Sequence, residues 1–249
     1  MNPLRLKAAV VVPAYQAAKT LSSVLERIPA AAWERIPRLV IVNDGSTDTT
    51  ATVARELATS REAVCLVDLP ENRGYGGAVK EGLRRALLGD PDVVACLHAD
   101  GQYAPEELPR LLLALERRGL DILQGSRLAR AGALRGGMPL YKLVANRALT
   151  FLENRVYGLR LSDYHSGYML FSRRALQRIR FERLSDSFDF DLEMIACARQ
   201  AGLAIGEEPI PTHYGDEVSY LRPIPYGLRA LRVMGTYLTS GYVASVRSP

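Results

Sequence analysis

The chain has 249 residues, 48% of them hydrophobic and 24% charged, with 20 Gly and 14 Pro. These globular proportions exclude a disordered, collagenous or low-complexity chain and leave room for one large domain. Lys and Arg number 32 against 27 Asp and Glu, and the net charge of +5 suits anionic ligands but is too diffuse to mark a nucleic-acid binder.

In chain order, Ala8–Val12 reads as a strand, Ala17–Arg27 as a helix, Leu39–Val42 as a strand and Thr49–Ala58 as a helix. Val64–Val67, Gly77–Leu88, Val93–Leu97 and Pro105–Arg118 continue the alternation. The four strands are short and uniformly apolar, as strands covered on both faces are. Pro105 starts the last helix, Glu106 and Glu107 fall in its first turn, and Gly119 stands just past its end. Strands alternating with helices predict an α/β fold with a mainly parallel central sheet flanked by helices.

The second half is less regular. Asp121–Gln124, Gly167–Phe171 and Leu203–Ile210 read as strands, Tyr141–Val156 and Asp191–Ala201 as helices, and Arg127–Pro139 as a loop rich in Gly and Arg. Leu228, Leu231, Met234 and Leu238 recur at helical spacing; packing against the domain is the ordinary reason, and a helix lying on an anionic membrane surface is the other. No linker divides the chain, so 1–249 reads as a single domain. Cys65, Cys96 and Cys197 are widely spaced and odd in number, which predicts a reducing, cytoplasmic setting. Arg5 and Lys7 interrupt the first apolar run, so no secretory signal is read, and Val233–Val246 is uncharged but too short and polar to span a membrane.

In an open parallel sheet, ligands gather beyond the carboxyl ends of the strands. Three such ends are polar here: Pro13-Ala14-Tyr15-Gln16, Asn43-Asp44-Gly45-Ser46-Thr47-Asp48 and His98-Ala99-Asp100-Gly101-Gln102. Each alone reads equally as turn chemistry, with Ser46 or Thr47 capping a helix and Asp100 forming a turn before Gly101. Together, at the ends of strands in one sheet, they read as a site. Asn72-Arg73-Gly74-Tyr75-Gly76-Gly77 either cradles a phosphate at a helix N-terminus or simply allows a tight turn. Val79 breaks the dinucleotide fingerprint there, and the end of a Walker loop is missing. Asp189 and Asp191 open a helix, where the dipole alone would favour acids.

These residues carry a resemblance. Val12-Pro13-Ala14-Tyr15, Asn43 to Asp48, Asn72 to Ala78 and His98 to Tyr103, in this order and spacing, resemble family 2 nucleotide-sugar glycosyltransferases of the GT-A fold. Within them the chain is most similar to the branch of dolichyl- and polyprenyl-phosphate sugar transferases. The likeness continues through Gly125-Ser126-Arg127, Gly136-Gly137, Ser162 to Tyr168 and Glu207 to Ile210, covering residues 7–221. It implies a Rossmann-like nucleotide-binding half over 7–125, an acceptor-side half over 126–221 and a C-terminal helical segment over 222–249. The implied reaction is inverting transfer of a hexose from a UDP- or GDP-sugar to polyprenyl or dolichyl phosphate, with a soluble hydroxyl on a glycan or secondary metabolite as the alternative acceptor. A non-catalytic sugar-nucleotide or membrane-surface binding module is the reading of another class. A nucleotidyltransferase is disfavoured, because no Gly-rich basic loop follows the first strand.

By the same resemblance, Pro13, Ala14 and Tyr15 line the nucleobase, Asp44 accepts hydrogen bonds from its ring N–H groups, and Gly74 and His98 belong to the donor site. Asp100 is the metal-binding carboxylate of a DXD-type motif, with Gln102 a nearby oxygen ligand and Mn²⁺ or Mg²⁺ the implied cofactor. His98 stands where that motif has its first acid; it is either an imidazole ligand, easier for Mn²⁺ than for Mg²⁺, or a hydrogen-bonding partner of sugar or phosphate. Counting back from Gly202, Asp191 falls where related inverting transferases carry their catalytic aspartate, so Asp191 and Asp100 are the candidate catalytic residues, with Asp191 either the general base for an acceptor hydroxyl or, for a lipid phosphate that is already an anion, a group that positions the acceptor or tunes charge. Arg127, Arg135 and Arg147 fall in the segment that resembles a phosphate-gripping region, with Arg127 foremost. His165 lies in the acceptor-side motif. The implied partners are a nucleotide-sugar donor and a lipid-phosphate or hydroxyl acceptor, with no nucleic acid; a peripheral membrane position and a homodimer are both open.

Overall fold

The computed structural model describes residues 6–128, 140–211 and 223–247. Strands β1 (Ala8–Ala14), β2 (Arg38–Asp44), β3 (Val64–Leu69), β4 (Val93–Cys96), β5 (Ile122–Ser126), β6 (Met169–Ser172) and β7 (Ile205–Pro209) form one sheet in the order β3-β2-β1-β4-β6-β5-β7. β1 runs parallel to β2 and β4, β2 to β3, and β5 to β7. Only β6 runs antiparallel, to β4 and β5 alike. The expected mainly parallel α/β sheet is what forms.

The helices are α1 (Leu21–Glu26), α2 (Ala30–Trp33), α3 (Thr50–Ser60), α4 (Tyr75–Leu87), α5 (Leu108–Arg118), α6 (Leu140–Tyr157), α7 (Arg173–Arg178), α8 (Phe190–Gln200) and α9 (Pro223–Leu238). The predicted helix over 17–27 begins only at Leu21, because 17–20 form a turn whose Ala17 and Ala18 N–H groups bond Thr50 Oγ1 and Asp48 Oδ2 at the start of α3. Pro105–Glu107 forms a single 3₁₀ turn ahead of α5, which ends as expected at a left-handed Gly119 with φ +57°. The four-residue α2 and six-residue α7 are too short to show a periodic stripe.

Alternation along β1 assigns its side chains to two cores. Ala9 and Val11 face α4, α8 and α9, among Val79, Leu83, Phe190 and Met234, whereas Val10 and Val12 face α1 and α5, among Leu21, Val24, Leu111 and Leu115. α9 buries Ala230, Val233 and Met234, while Leu228, Leu231 and Leu238 are exposed. The packing expected of all four stripe residues therefore holds for Met234 alone. The helix is rotated so that Ala230, Val233 and Met234, flanked by Tyr226 and Tyr237, meet the domain.

The close approach of α4 to the sheet rests on Gly82, where a Cβ would run into Val11 Cγ1 and lie 3.2 Å from Val42 Cγ2. Both valines are branched and held inside a close-packed layer, so neither can swing away. Gly82→Ala should cost about 2 kcal/mol by overpacking, a fall in Tm of roughly 4–8 °C in thermal unfolding.

Candidate active site

The ends of β1 and β2 are clamped by one side chain. Gln16, at φ +52°, donates its backbone N–H to Ser46 Oγ (3.0 Å) and Nε2 to Thr47 Oγ1 (2.8 Å), and its Oε1 accepts from the Asp48 N–H (3.1 Å). Ser46 and Thr47 therefore do not cap α3, which starts farther on at Thr50. That residue's N–H goes to Asp48 Oδ1 at 2.9 Å. Pro13 and Ala14 pair in register with Val42 and Asn43, and Tyr15 follows at the exposed rim.

Asp44, 3% exposed, accepts the Arg73 N–H on Oδ1 at 2.7 Å. Burial pushes its carboxyl up from the usual range, and the N–H bonds from Arg73 and Gly74 pull partly back. Gly74 precedes α4 at φ +82°, where a Cβ would sit 2.5 Å from the Asp186 carbonyl oxygen. The donor-side candidates Pro13, Ala14, Tyr15, Asp44 and Gly74 thus come together at one edge of the sheet.

Past β4, Asp100 folds its own turn, Oδ1 accepting the Gln102 N–H at 3.0 Å. Asp100 and Gly101 border an open cavity of about 420 Å³ that Lys19, Thr20 and Arg27 also line. His98 faces inward, its Nε2 3.0 Å from the Tyr75 hydroxyl and its ring edge-on to Tyr103. Burial lowers the His98 pKa, although the Asp100 charge opposes this. Its Nε2 is thereby committed to Tyr75 rather than turned to Asp100. No group of three or more His, Cys, Asp or Glu close enough to hold an ion exists among the described residues.

Asp191 lies in the first turn of α8 but does not serve that helix: Oδ2 accepts from Tyr75 Oη at 2.8 Å, and Oδ1 is buried with no hydrogen-bond partner among the described residues. Burial pushes its carboxyl up to about 7, and the tyrosine bond holds it from rising further. Asp189, preceding the helix, accepts instead from Ser185 Oγ (2.9 Å) and pairs with Arg229.

The acceptor-side candidates are engaged with one another. Arg127 donates Nε to Asp163 Oδ2 (3.2 Å) and Nη2 to the His165 carbonyl (2.6 Å). His165 lies between the Tyr226 hydroxyl, 3.0 Å from Nδ1, and Glu153 Oε2, 3.3 Å from Nε2. Arg147 is exposed on α6, apart from this group. Arg135 and Gly136-Gly137 lie outside the described residues.

Sequence reasoning passed over Tyr75, Glu153 and Tyr226. Tyr75 stood inside the quoted Gly-rich motif, and an aromatic between glycines was the available signal. Glu153 and Tyr226 offered none.

A model of glycosyl transferase family 2 matches residues 9–180. A UDP-N-acetylglucosamine–dolichyl-phosphate N-acetylglucosaminyltransferase of Methanococcus voltae is 28% identical over 217 residues, spanning 82% of this chain and 85% of its own length. A polyprenol monophosphomannose synthase of Mycolicibacterium smegmatis is 29% identical, over 81% of this chain and 75% of that one. The crystal structure of glucosyl-3-phosphoglycerate synthase from Mycobacterium tuberculosis with Mn²⁺, UDP and phosphoglyceric acid aligns at a TM-score of 0.66 and 20% identity, covering 94% of this chain and 78% of that one. At that identity it shows a shared fold.

The raised Asp191 carboxyl has a consequence for stability. Its folded pKa of about 7 exceeds the 3.8 of an ordinary aspartate, so the folded state holds the extra proton, and this contribution is full below pH 3.8 and lost as pH rises through 7. Asp191→Asn should therefore raise Tm by several degrees at pH 8 and by much less at pH 5, as read by thermal unfolding at the two pH values.

Proposed function

The chain belongs to glycosyl transferase family 2, and from that premise we propose that it is an inverting transferase moving a hexose from a UDP- or GDP-sugar to a polyprenyl phosphate. The observation that carries the reading is the buried Asp191 carboxyl, its Oδ1 without a partner among the described residues and its Oδ2 linked through the Tyr75 hydroxyl to His98, two residues before Asp100. The dolichyl- and polyprenyl-phosphate activities named for the relatives from M. voltae and M. smegmatis support the choice of acceptor.

In this reading the nucleobase rests against Pro13, Ala14 and Tyr15, and Asp44 accepts from its ring N–H groups. Asp100 and Gln102 would hold a divalent ion, with the donor diphosphate completing an oxygen ligand set that suits Mg²⁺ or Mn²⁺. His98 is not needed as a ligand, since its Nε2 is on Tyr75. Bound there, the ion would neutralise charge on the departing nucleoside diphosphate. Asp191 takes the proton from the acceptor O–H while that oxygen bonds the anomeric carbon and the bond to the diphosphate breaks with its electron pair. A carboxylate near 7 is matched to a phosphate whose second pKa is about 6, and both proton states of each are populated at neutral pH.

No helix among the described residues is long and apolar enough to cross a membrane. Leu228, Leu231 and Leu238 on α9, with Val144, Phe151 and Leu152 on the adjoining α6, offer exposed apolar surface. That supports a peripheral position at a membrane for a lipid acceptor.

Transfer should be seen from UDP- or GDP-[¹⁴C]hexose to undecaprenyl phosphate in vesicles, and a chain that labels only soluble hydroxyl acceptors would refute the lipid reading. Calorimetry should show one nucleoside diphosphate binding at least tenfold tighter with Mn²⁺ than in chelator. Asp100→Ala should lose that difference and the transfer, with Tm lowered by only about 2–4 °C for the lost turn bond.

A further inference from the structure

Tyr75 is the first residue of α4, and its side chain is held on three sides. Its ring stacks on Phe188, centroids 5.6 Å apart and 12° from parallel, and lies 5.1 Å from the His98 ring. Its hydroxyl donates to Asp191 Oδ2 at 2.8 Å and meets His98 Nε2 at 3.0 Å. Gly167 closes the third side: a Cβ there would collide with the His98 ring and lie 3.1 Å from the Tyr75 oxygen.

A tyrosine hydroxyl has one proton to give. With that proton on Asp191, His98 must donate Nε2–H to the tyrosine oxygen, which sets the imidazole tautomer. Oδ2 of Asp191 is then occupied, and Oδ1, buried and unpartnered, is the oxygen left to receive a proton.

We propose that Tyr75 is a positioning residue for the transfer reaction: backed by His98, its hydroxyl holds Asp191 Oδ2 and reserves Oδ1 for the acceptor's proton. The proposal rests on the reading of Asp191 as the group that takes that proton. Tyr75 keeps its own proton throughout, since burial and the Asp191 charge push its pKa well above the usual tyrosine value. Among the described residues, the other groups facing the Asp191 carboxyl are Cys96 from β4 and Tyr226 from α9, both held neutral by burial. Glu193 on the same helix is turned to the Ser185 N–H and Tyr242, Asp189 to Ser185 and Arg229, and Glu207 of β7 to Ser162. The single hydroxyl of Tyr75 is therefore the group that tunes this carboxyl.

Tyr75→Phe keeps the ring and its stack and deletes only the donor. The test is ¹³C NMR of the full chain labelled at Asp carboxyl carbons, with the Asp191 signal assigned by its loss in Asp191→Asn. The wild-type midpoint near 7 should rise by about one pH unit in Tyr75→Phe. Transfer at pH 7 should fall about fivefold, as the ionised fraction of Asp191 drops, and recover toward the wild-type rate above about pH 9, with nucleoside diphosphate affinity unchanged. An unmoved midpoint, or a rate deficit equal at every pH, overturns the proposal. In the wild type, the Tyr75 hydroxyl proton resonance should shift through the Asp191 midpoint, and one that ignores it overturns the proposal without any variant. Both NMR readouts need no substrate, so they decide the role of Tyr75 even if no transfer to a lipid phosphate is found.

Discussion

Helix α4 can lie between the sheet and the segment leading into α8 only because glycine stands at 76 and 82. A Cβ at Gly76 would run into the Ser185 carbonyl and come within 2.9 Å of Phe190 Cβ, and one at Gly82 would meet Val11. With both faces bare, the helix is gripped twice on the α8 side: the Gly77 N–H bonds the Asp186 carbonyl at 3.2 Å, and the Lys80 ammonium reaches the Leu184 carbonyl at 2.7 Å. The position of α4 in turn sets residues 73 and 75. The Arg73 N–H meets Asp44 and the Tyr75 hydroxyl meets Asp191, so two neighbouring residues hold the carboxylates of the proposed donor and acceptor sides.

Burial alone does not decide what a carboxylate does, as Asp163 and Asp191 show. Both are inside the protein, and burial raises both. Asp163 also has the Arg127 guanidinium at 3.2 Å and the His165 N–H at 2.9 Å, and its pKa ends below the ordinary value. It is a fixed charge that orders the loop between α6 and β6. Asp191 has one neutral donor and stays near 7, so of the two it is the one able to exchange a proton near neutrality.

What could be read from the sequence was local. The apolar runs of β1, β2 and β4 were legible because those strands are buried on both faces, whereas β3, equally apolar over Val64–Val67, lies at the sheet edge and is only part-buried, contrary to the expectation. Asp44 and Asp100 were singled out because chemistry-bearing residues gather where such strands end. The direction of β6 was not, since an apolar run reads the same either way. Ser46 and Thr47 looked like caps because the pattern cannot show that Gln16, some 30 residues earlier, would claim their hydroxyls. Tyr75 was hidden for the same reason: its partner is 116 residues farther along the chain. Arg127 and His165 were singled out by type, but their engagement with Asp163, Glu153 and Tyr226 depends on how α6 and α9 pack.

The reversed strand β6 also bears on how the chain is made. β1, β2, β3 and β4 are complete once Cys96 has left the ribosome, and they can pair among themselves. Their neighbour on the open side, β6, begins only at Met169. At ordinary elongation speeds those intervening 70 or so residues take roughly 4–15 s. Throughout that interval the nascent half-sheet carries Val93, Val94, Ala95 and Cys96 as an unpaired apolar edge, open to capture by another nascent chain or a chaperone until its own strand arrives.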